Sequence, residues 1–234
     1  MSEHTIKAFD EEINRLRGLV AEMGGRVETA LENAMTALIR HDTEAARRVV
    51  LEDQKIDALE AEVEKLVIQT IALRAPMAND LRDVIAALKI VGVVERIGDY
   101  AKNIAKRVPQ LGANPTIEPV SLLPSMAQVA GEMVGDALNA FAARDAVLAE
   151  AVVARDHVVD SFYNSIFRTL VTYMMENPKT ISESAHLLFI AKNIERIGDH
   201  ATNVAEMVYY AATGHYLPER DRDTGIEKAD KWEN

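Results

Sequence analysis

Two identical pentapeptides, Glu-Arg-Ile-Gly-Asp, occupy positions 95–99 and 195–199. The match extends outward, because ten of the eighteen residues in 88–105 recur at 188–205. A repeat of this length indicates one structural unit used twice. On a helix, the Glu and Asp of each copy lie on one face, with Cβ atoms about 6 Å apart. A repeat kept only for packing would preserve apolar periodicity and let charges drift, so the preserved acids indicate binding or chemistry.

A second acidic pair precedes each pentapeptide. Asp53 and Asp57 recur as Asp156 and Asp160, although all three residues between them change. Consecutive helices of a bundle are usually antiparallel neighbours, so the pairs are predicted to converge in sets of four on the bundle surface. The predicted metal ligands are Asp53, Asp57, Glu95 and Asp99 (the first acidic patch) and Asp156, Asp160, Glu195 and Asp199 (the second acidic patch).

Clustered carboxylates repel one another, and a bound cation offsets that repulsion. Carboxylate oxygens suit Mg²⁺, Ca²⁺, Mn²⁺ or iron, and they can bridge more than one ion. The alternative is a solvated acidic face, in which Arg96 and Arg196 neutralise the acids within their own helices. The glycines of the motif, Gly98 and Gly198, cost about 1 kcal/mol each relative to Ala in a helix, so they are expected to admit another backbone.

Other candidate motifs are weaker. Glu183 and His186 form one Glu-x-x-His, but a ferritin-like di-iron site needs two, and the first unit lacks the second. His157 and His200 could supplement the second acidic patch, although their counterparts are Gln54 and Tyr100. The sequence has no glycine-rich phosphate loop, nucleophile elbow or His-Glu-x-x-His, so we predict no catalytic residues and no organic cofactor site.

Helical periodicity runs through both halves of the chain. A seam of apolar residues spaced three and four apart from Ile6 predicts a long first helix ending near His41. Asp42 is predicted to cap a second helix that ends before Pro76, and a third helix follows to about Val108. Asp145 and Pro178 are the equivalents of Asp42 and Pro76 in the second half, and they predict the same helix boundaries there.

The fold prediction is therefore all-α, with two tandem three-helix bundles. Four prolines between 109 and 124 indicate a linker. The predicted units are 1–110 and 116–214, followed by a charged tail at 215–234 that is expected to be disordered.

Composition narrows the functional classes. The formal charge is −11, from 26 Lys and Arg against 37 Asp and Glu, which argues against binding nucleic acid or anionic membranes. The absence of cysteine excludes disulfides and thiolate metal sites. The N-terminus lacks signal-peptide features, and no apolar run approaches membrane-spanning length. We expect a soluble cytoplasmic protein.

The segment Arg74-Ala75-Pro76-Met77-Ala78-Asn79-Asp80-Leu81-Arg82, followed by the two pentapeptides, resembles the PhoU family of phosphate-signalling proteins. The resemblance covers roughly residues 5–213. It implies two three-helix bundles with multinuclear metal clusters on E(D)xxxD motifs, which map onto the eight acids above. The second unit departs from it, having Glu176-Asn177-Pro178 in place of the Arg-x-Pro segment.

The resemblance also implies a regulator and not an enzyme. Such proteins are typically cytoplasmic homodimers that restrain the phosphate-starvation response when phosphate is plentiful. They act as adaptors between a phosphate ABC transporter and a membrane sensor histidine kinase. Two alternatives stay open from the residues: a carboxylate-bridged metalloenzyme, such as a phosphohydrolase or oxidase, and a metal-free helical scaffold.

Overall fold

A computed structural model describes residues 3–111 and 121–217, and these residues form helices and short turns without a strand. Much of the predicted linker (112–120) and most of the predicted tail (218–234, including Trp232) lie outside the described residues. The α-helices are α1 Glu3–Arg40, α2 Thr43–Glu52, α3 Gln54–Arg74, α4 Asn79–Arg107, α5 Leu122–Ala143, α6 Ala146–Glu176 and α7 Ile181–Thr213.

The helix ends fall where the sequence predicted them. The carboxylate of Asp42 accepts a hydrogen bond from the Ala45 amide, and that of Asp145 accepts from Val147 and Leu148, which satisfies amides exposed in the first turn. Ala75 closes α3 in the left-handed region, with φ 47°, immediately before the proline. Gly214 closes α7 with φ 78°, a conformation that glycine adopts without steric cost.

One predicted helix is divided. The chain from 43 to 74 forms α2 and α3, which are separated at Asp53. Its carbonyl accepts from the Ile56 amide at 2.8 Å, a tight i to i+3 bond, while Asp53 keeps right-handed helical angles. The equivalent helix of the second unit, α6, is continuous. The division therefore tightens a single turn without redirecting the chain.

The predicted two three-helix bundles are confirmed. Helix α1 packs against α3 and α4, while α5 and α6 pack against α7. The seam on α1 lies in the core, where Leu16, Val20, Met23 and Val27 are buried. The bundles share one continuous hydrophobic core, because α1 also packs on α5 and α4 on α7.

Equivalent helices of the two units face each other. Tyr100 and His200, which are equivalent in the repeat, meet edge to face with ring centroids 5.2 Å apart. Farther along α4, Arg107 contacts Phe189, so residue numbers rise on α4 as they fall on α7 and the helices are antiparallel. The units are thus related by a pseudo-twofold axis passing near Tyr100 and His200. Within the described residues, no helix is long and apolar enough to span a membrane.

Candidate metal centres

Core packing on α4 and α7 orients the acidic motifs. Ile97 and Ile197 are fully buried, and the acids lie on a different side of each helix. The glycines are buried too, but they admit side chains and not another backbone, so that expectation was wrong. A Cβ on Gly98 would lie 3.0 Å from Ile56 Cδ1, and one on Gly198 would lie 3.2 Å from Val159 Cγ1.

These glycine contacts bring the two acid-bearing helices of each unit together. Ile56 lies between Asp53 and Asp57, and Val159 lies between Asp156 and Asp160. Close packing of α4 on α3, and of α7 on α6, therefore places both acidic pairs of a unit at the same height. This is the alignment that convergence of four carboxylates requires.

In the first acidic patch, neighbouring carboxylates lie close enough to Glu95 to affect its pKa. Burial raises the pKa of Glu95, and the charges of Asp99, Glu60 and Asp57 raise it further. Glu60, which the sequence analysis missed, is itself perturbed: burial, then Glu64 and Asp57, raise its pKa. Its position three residues after Asp57 was the available signal, because that spacing lies on the same helix face.

Asp53 departs from the prediction of a surface carboxylate. Its side chain is only 7% exposed, and one oxygen lies 2.5 Å from Lys102 Nζ. The same ammonium also pairs with Asp99. Burial alone would lower the pKa of Lys102, but its hydrogen bonds to the two carboxylates raise it. A built-in cation therefore joins two of the four acids in the first acidic patch.

The second acidic patch brings all four predicted acids into electrostatic contact. Burial is the main cause that raises the pKa of Asp199 to about 6, followed by the charges of Glu195, Asp156 and Asp160. Asp160 is exposed, and Asp156 and Asp199 are half-buried. A carboxyl with this pKa retains part of its proton near neutral pH, because burial and three neighbouring carboxylates disfavour its charged form.

A different lysine serves the second patch. Lys192 Nζ lies 2.5 Å from Glu195 Oε1 and 5.2 Å from the centre of the Tyr163 ring. The other oxygen of Glu195, Oε2, is buried without a hydrogen-bond partner. Lys102 and Lys192 are not equivalent in the repeat, since their counterparts are Thr202 and Gly92. The available sequence signal was their spacing, because each lysine lies three residues from an acid of the motif.

The motif arginines do not neutralise the acids by ion pairing. Within residues 3–111 and 121–217, neither Arg96 nor Arg196 lies within ion-pair distance of a carboxylate. The Arg196 guanidinium instead lies over the Tyr100 ring, 5.7 Å from its centre. Arg196 therefore contacts the opposite unit across the pseudo-twofold axis.

The candidate histidines divide between surface and interior. His157 is exposed, and its Nδ1 lies 2.7 Å from the Ala154 carbonyl within its own helix. His200 packs on Tyr100, and burial together with the charge of Arg96 lowers its pKa. Neither contact involves a carboxylate of the second acidic patch.

The donor chemistry fits a hard cation better in the second patch than in the first. Among the described residues, Glu195 Oε2 is a buried carboxylate oxygen without a hydrogen-bond partner. The pKa of Asp199 is raised to about 6, so its charged form is disfavoured in the absence of a cation. In the first patch, the Lys102 ammonium already contacts two of the donors. Among the described residues, no three Asp, Glu or His side chains are arranged as ligands of one ion, so binding requires side-chain rotation.

Comparison with known proteins agrees with this architecture. The sequence model of the PhoU domain matches the chain twice, over residues 20–108 and 123–208. A phosphate-specific transport system accessory protein PhoU homolog of Zymomonas mobilis is 56% identical over 219 residues, covering 94% of this chain and 92% of that protein. The homolog of Caulobacter vibrioides is 45% identical over 221 residues, covering 93% of this chain and 95% of that protein.

Solved structures show the same fold. PhoU from Pseudomonas aeruginosa superimposes with a TM-score of 0.84 at 38% identity, covering 88% of this chain and all (100%) of that one. The phosphate transport system regulatory protein PhoU from Streptococcus pneumoniae gives the same TM-score, 0.84, at 28% identity, covering 90% of this chain and 100% of that one. With two matched domains and relatives similar over nearly its whole length, the chain belongs to the PhoU family.

Proposed function

We propose that this protein is an accessory regulator of phosphate uptake and a negative regulator of the phosphate-starvation response. It acts in the cytoplasm as an adaptor between a phosphate ABC transporter and a sensor histidine kinase, and it forms a homodimer. The observation that carries the proposal is the doubled PhoU domain in a chain whose relatives are phosphate-specific transport system accessory proteins.

Exposed apolar side chains support an adaptor role. Leu73 and Met175 are equivalent positions at the ends of α3 and α6, and they are 71% and 80% exposed. Met77, in the turn that follows α3, is 79% exposed. Large apolar side chains with this exposure favour protein contacts. Equivalent turns in the two units would let one molecule contact two partners.

Metal binding to the acidic patches is part of the proposal. The first acidic patch offers Asp53, Asp57, Glu95 and Asp99, and the second offers Asp156, Asp160, Glu195 and Asp199. A bound Mg²⁺, Mn²⁺, Ca²⁺ or iron ion would supply positive charge and rigidity there. The chain's own residues would contribute carboxylate oxygens, and the second acidic patch would take the ion more readily.

Catalysis is not part of the proposed function. The polar groups of both patches are acids and a paired lysine on helix surfaces, which suits holding a cation and contacting proteins. Metal-loaded protein is expected to leave model phosphoesters intact. Turnover abolished by Glu95→Ala would instead establish the metalloenzyme alternative.

Gene deletion tests the regulatory role. Alkaline-phosphatase output in phosphate-rich medium should rise in the deletion strain and return to its low level with the wild-type gene. Output that stays low in the deletion strain would contradict the proposal. If the acidic patches contribute, the double variant Glu95→Ala/Glu195→Ala will fail to restore repression.

A matched control distinguishes the effect of removing acids from the patches from the effect of removing negative charge in general. Glu11 and Glu150 are exposed glutamates, one in each unit and outside both patches. Glu11→Ala/Glu150→Ala removes the same charge and should repress as well as the wild type. Immunoblots must show equal amounts of each variant, so that a defect in repression is not a defect in abundance.

A further inference from the structure

A groove of about 600 Å³ lies between α4 and α7, to one side of the pseudo-twofold axis. Its lining includes Lys106, Arg107, His186, Asn193 and Arg196, which we call the cationic groove. The protein as a whole carries a formal charge of −11, so a cluster of positive side chains is unusual on it. Neither the PhoU match nor the acidic patches account for this cluster.

The positive charges of the cationic groove have no ion-pair partners among the described residues. In the part of the chain that the structure describes, no carboxylate lies within ion-pair distance of Lys106, Arg107 or Arg196. Glu183, one turn before His186, is half-buried and has contacts of its own. Gathering like charges raises the energy of the folded chain, and a bound anion would offset that cost.

Several donors of the groove are held in place. The Arg107 guanidinium stacks over the Phe189 ring, 4.5 Å from its centre. Its Nη1 lies 3.4 Å from His186 Nδ1. Because a guanidinium can only donate, His186 Nδ1 is the acceptor and its Nε2 carries a proton. The planar guanidinium fork matches two oxygens of a phosphoryl group.

The repeat provides an internal comparison. At an offset of 100 residues, the equivalent positions on the other side of the axis carry Glu206 for Lys106, Met207 for Arg107 and Ala86 for His186. Arg196 has its counterpart in Arg96. A duplicated unit begins with equal grooves, so the cationic character was gained or kept on one side only. Packing of α4 on α7 does not demand it, because the other side packs without it.

We propose that the cationic groove binds a phosphoryl anion, with Arg107, Lys106 and Arg196 neutralising its charge and His186 donating from Nε2. Free phosphate and the phosphates of a nucleotide share this chemistry. The volume of the groove admits either, and the exposed Phe189 ring could stack on a base. The inference is independent of the proposed regulatory function and of metal in the acidic patches.

Calorimetric titration of the full chain tests the proposal, with inorganic phosphate and ADP as separate probes at low ionic strength. The variant Lys106→Gln/Arg107→Gln should weaken binding at least about tenfold, since it removes two charge-assisted contacts. Arg107→Lys keeps the charge but loses the fork, so a smaller loss is expected. The matched control, Lys89→Gln/Arg96→Gln, removes two positive charges at positions equivalent to groove residues in the other unit and should bind within about twofold of the wild type.

Each outcome of the titration either supports or overturns the proposed anion site. Phosphate binding that is lost only in the groove variant supports the proposal with free phosphate as the ligand, and binding of ADP alone supports it with a nucleotide. Equal losses in the groove variant and its control would overturn it, because binding would then follow net charge. No binding of either probe at about 10 mM, weaker than about −3 kcal/mol, would also overturn it. Circular dichroism establishes that each variant is folded before titration.

Discussion

In the first acidic patch, one ammonium group, that of Lys102, pairs with both Asp53 and Asp99. In the second, Lys192 pairs with Glu195, while Glu195 Oε2 lacks a hydrogen-bond partner among the described residues and Asp199 has its pKa raised to about 6. The acids occupy equivalent positions, but the lysines do not. The two units therefore share the carboxylates, but each pairs them with a lysine at a different position. The second patch retains the greater demand for an external cation.

The largest expected difference comes from removing the lysines. Lys102→Met leaves the buried Asp53 unpaired, and breaking such a pair should cost about 2 kcal/mol of unfolding free energy, below the fully buried case because Lys102 is partly exposed. Lys192→Met removes an ammonium that is 41% exposed and should cost less than about 1 kcal/mol. Urea unfolding with EDTA present measures both. Equal losses would show that the patches are neutralised alike.

The motif glycines should respond differently to alanine. A Cβ at Gly98 meets the flexible end of Ile56, so Gly98→Ala should change stability by less than about 0.5 kcal/mol once the gain in helix propensity is counted. A Cβ at Gly198 meets Cγ1, Cγ2 and Cβ of Val159 at 3.2 to 3.5 Å. That β-branched side chain cannot rotate away in a helix, so Gly198→Ala should destabilise by about 1 kcal/mol.

Thermal melts measure the glycine effects, and about 1 kcal/mol corresponds to a Tm decrease of about 2–4 °C for a chain of this size. A larger decrease for Gly98→Ala than for Gly198→Ala would contradict the assignment of Ile56 as the more adaptable neighbour.

The equivalent aspartates should have effects of about 1 kcal/mol or less and of opposite sign. Folding raises the pKa of Asp199 from 3.8 to about 6, so the folded state binds its proton more tightly than the unfolded state. Its contribution to stability is present below about pH 4 and is lost as the pH rises through about 6. Asp199→Asn should therefore stabilise the metal-free protein by about 1 kcal/mol above that pH, after allowance for solvent screening.

Asp99→Asn removes a partner of Lys102 and should destabilise by about 0.5 kcal/mol at neutral pH. Urea unfolding at about pH 4 and about pH 7.5 distinguishes the two variants. If Asp199→Asn destabilises the protein at neutral pH without divalent ions, burial and the neighbouring acids do not disfavour the charged form of Asp199.

Much of the fold was predictable because its signals are local. The Asp42 and Asp145 caps and the proline breaks fix helix ends within a few residues, and apolar spacing identifies the core face. The division at Asp53 was not predictable in this way. It accompanies a buried ion pair with Lys102, 49 residues distant in the chain, and no local pattern reports such a contact.

The candidate sites were predictable in part. The repeat identified all eight acids, because duplication makes a retained carboxylate conspicuous against residues that changed. The same logic misses whatever differs between the units. Lys102 and Lys192 have no lysine at the equivalent position of the other unit. Lys106 and Arg107 of the cationic groove are equivalent to Glu206 and Met207. Their roles depend on tertiary neighbours that only the packed helices supply.

Mn²⁺ titration followed by electron paramagnetic resonance tests whether the second acidic patch is the stronger cation site. The proteins to compare are the wild type, Glu95→Gln/Asp99→Asn and Glu195→Gln/Asp199→Asn. We predict that the second-patch variant weakens the tightest site at least about tenfold, whereas the first-patch variant weakens it less than about threefold. Wild-type protein that binds no Mn²⁺, or a tightest site lost with the first-patch variant, would show that the second acidic patch is not the stronger cation site.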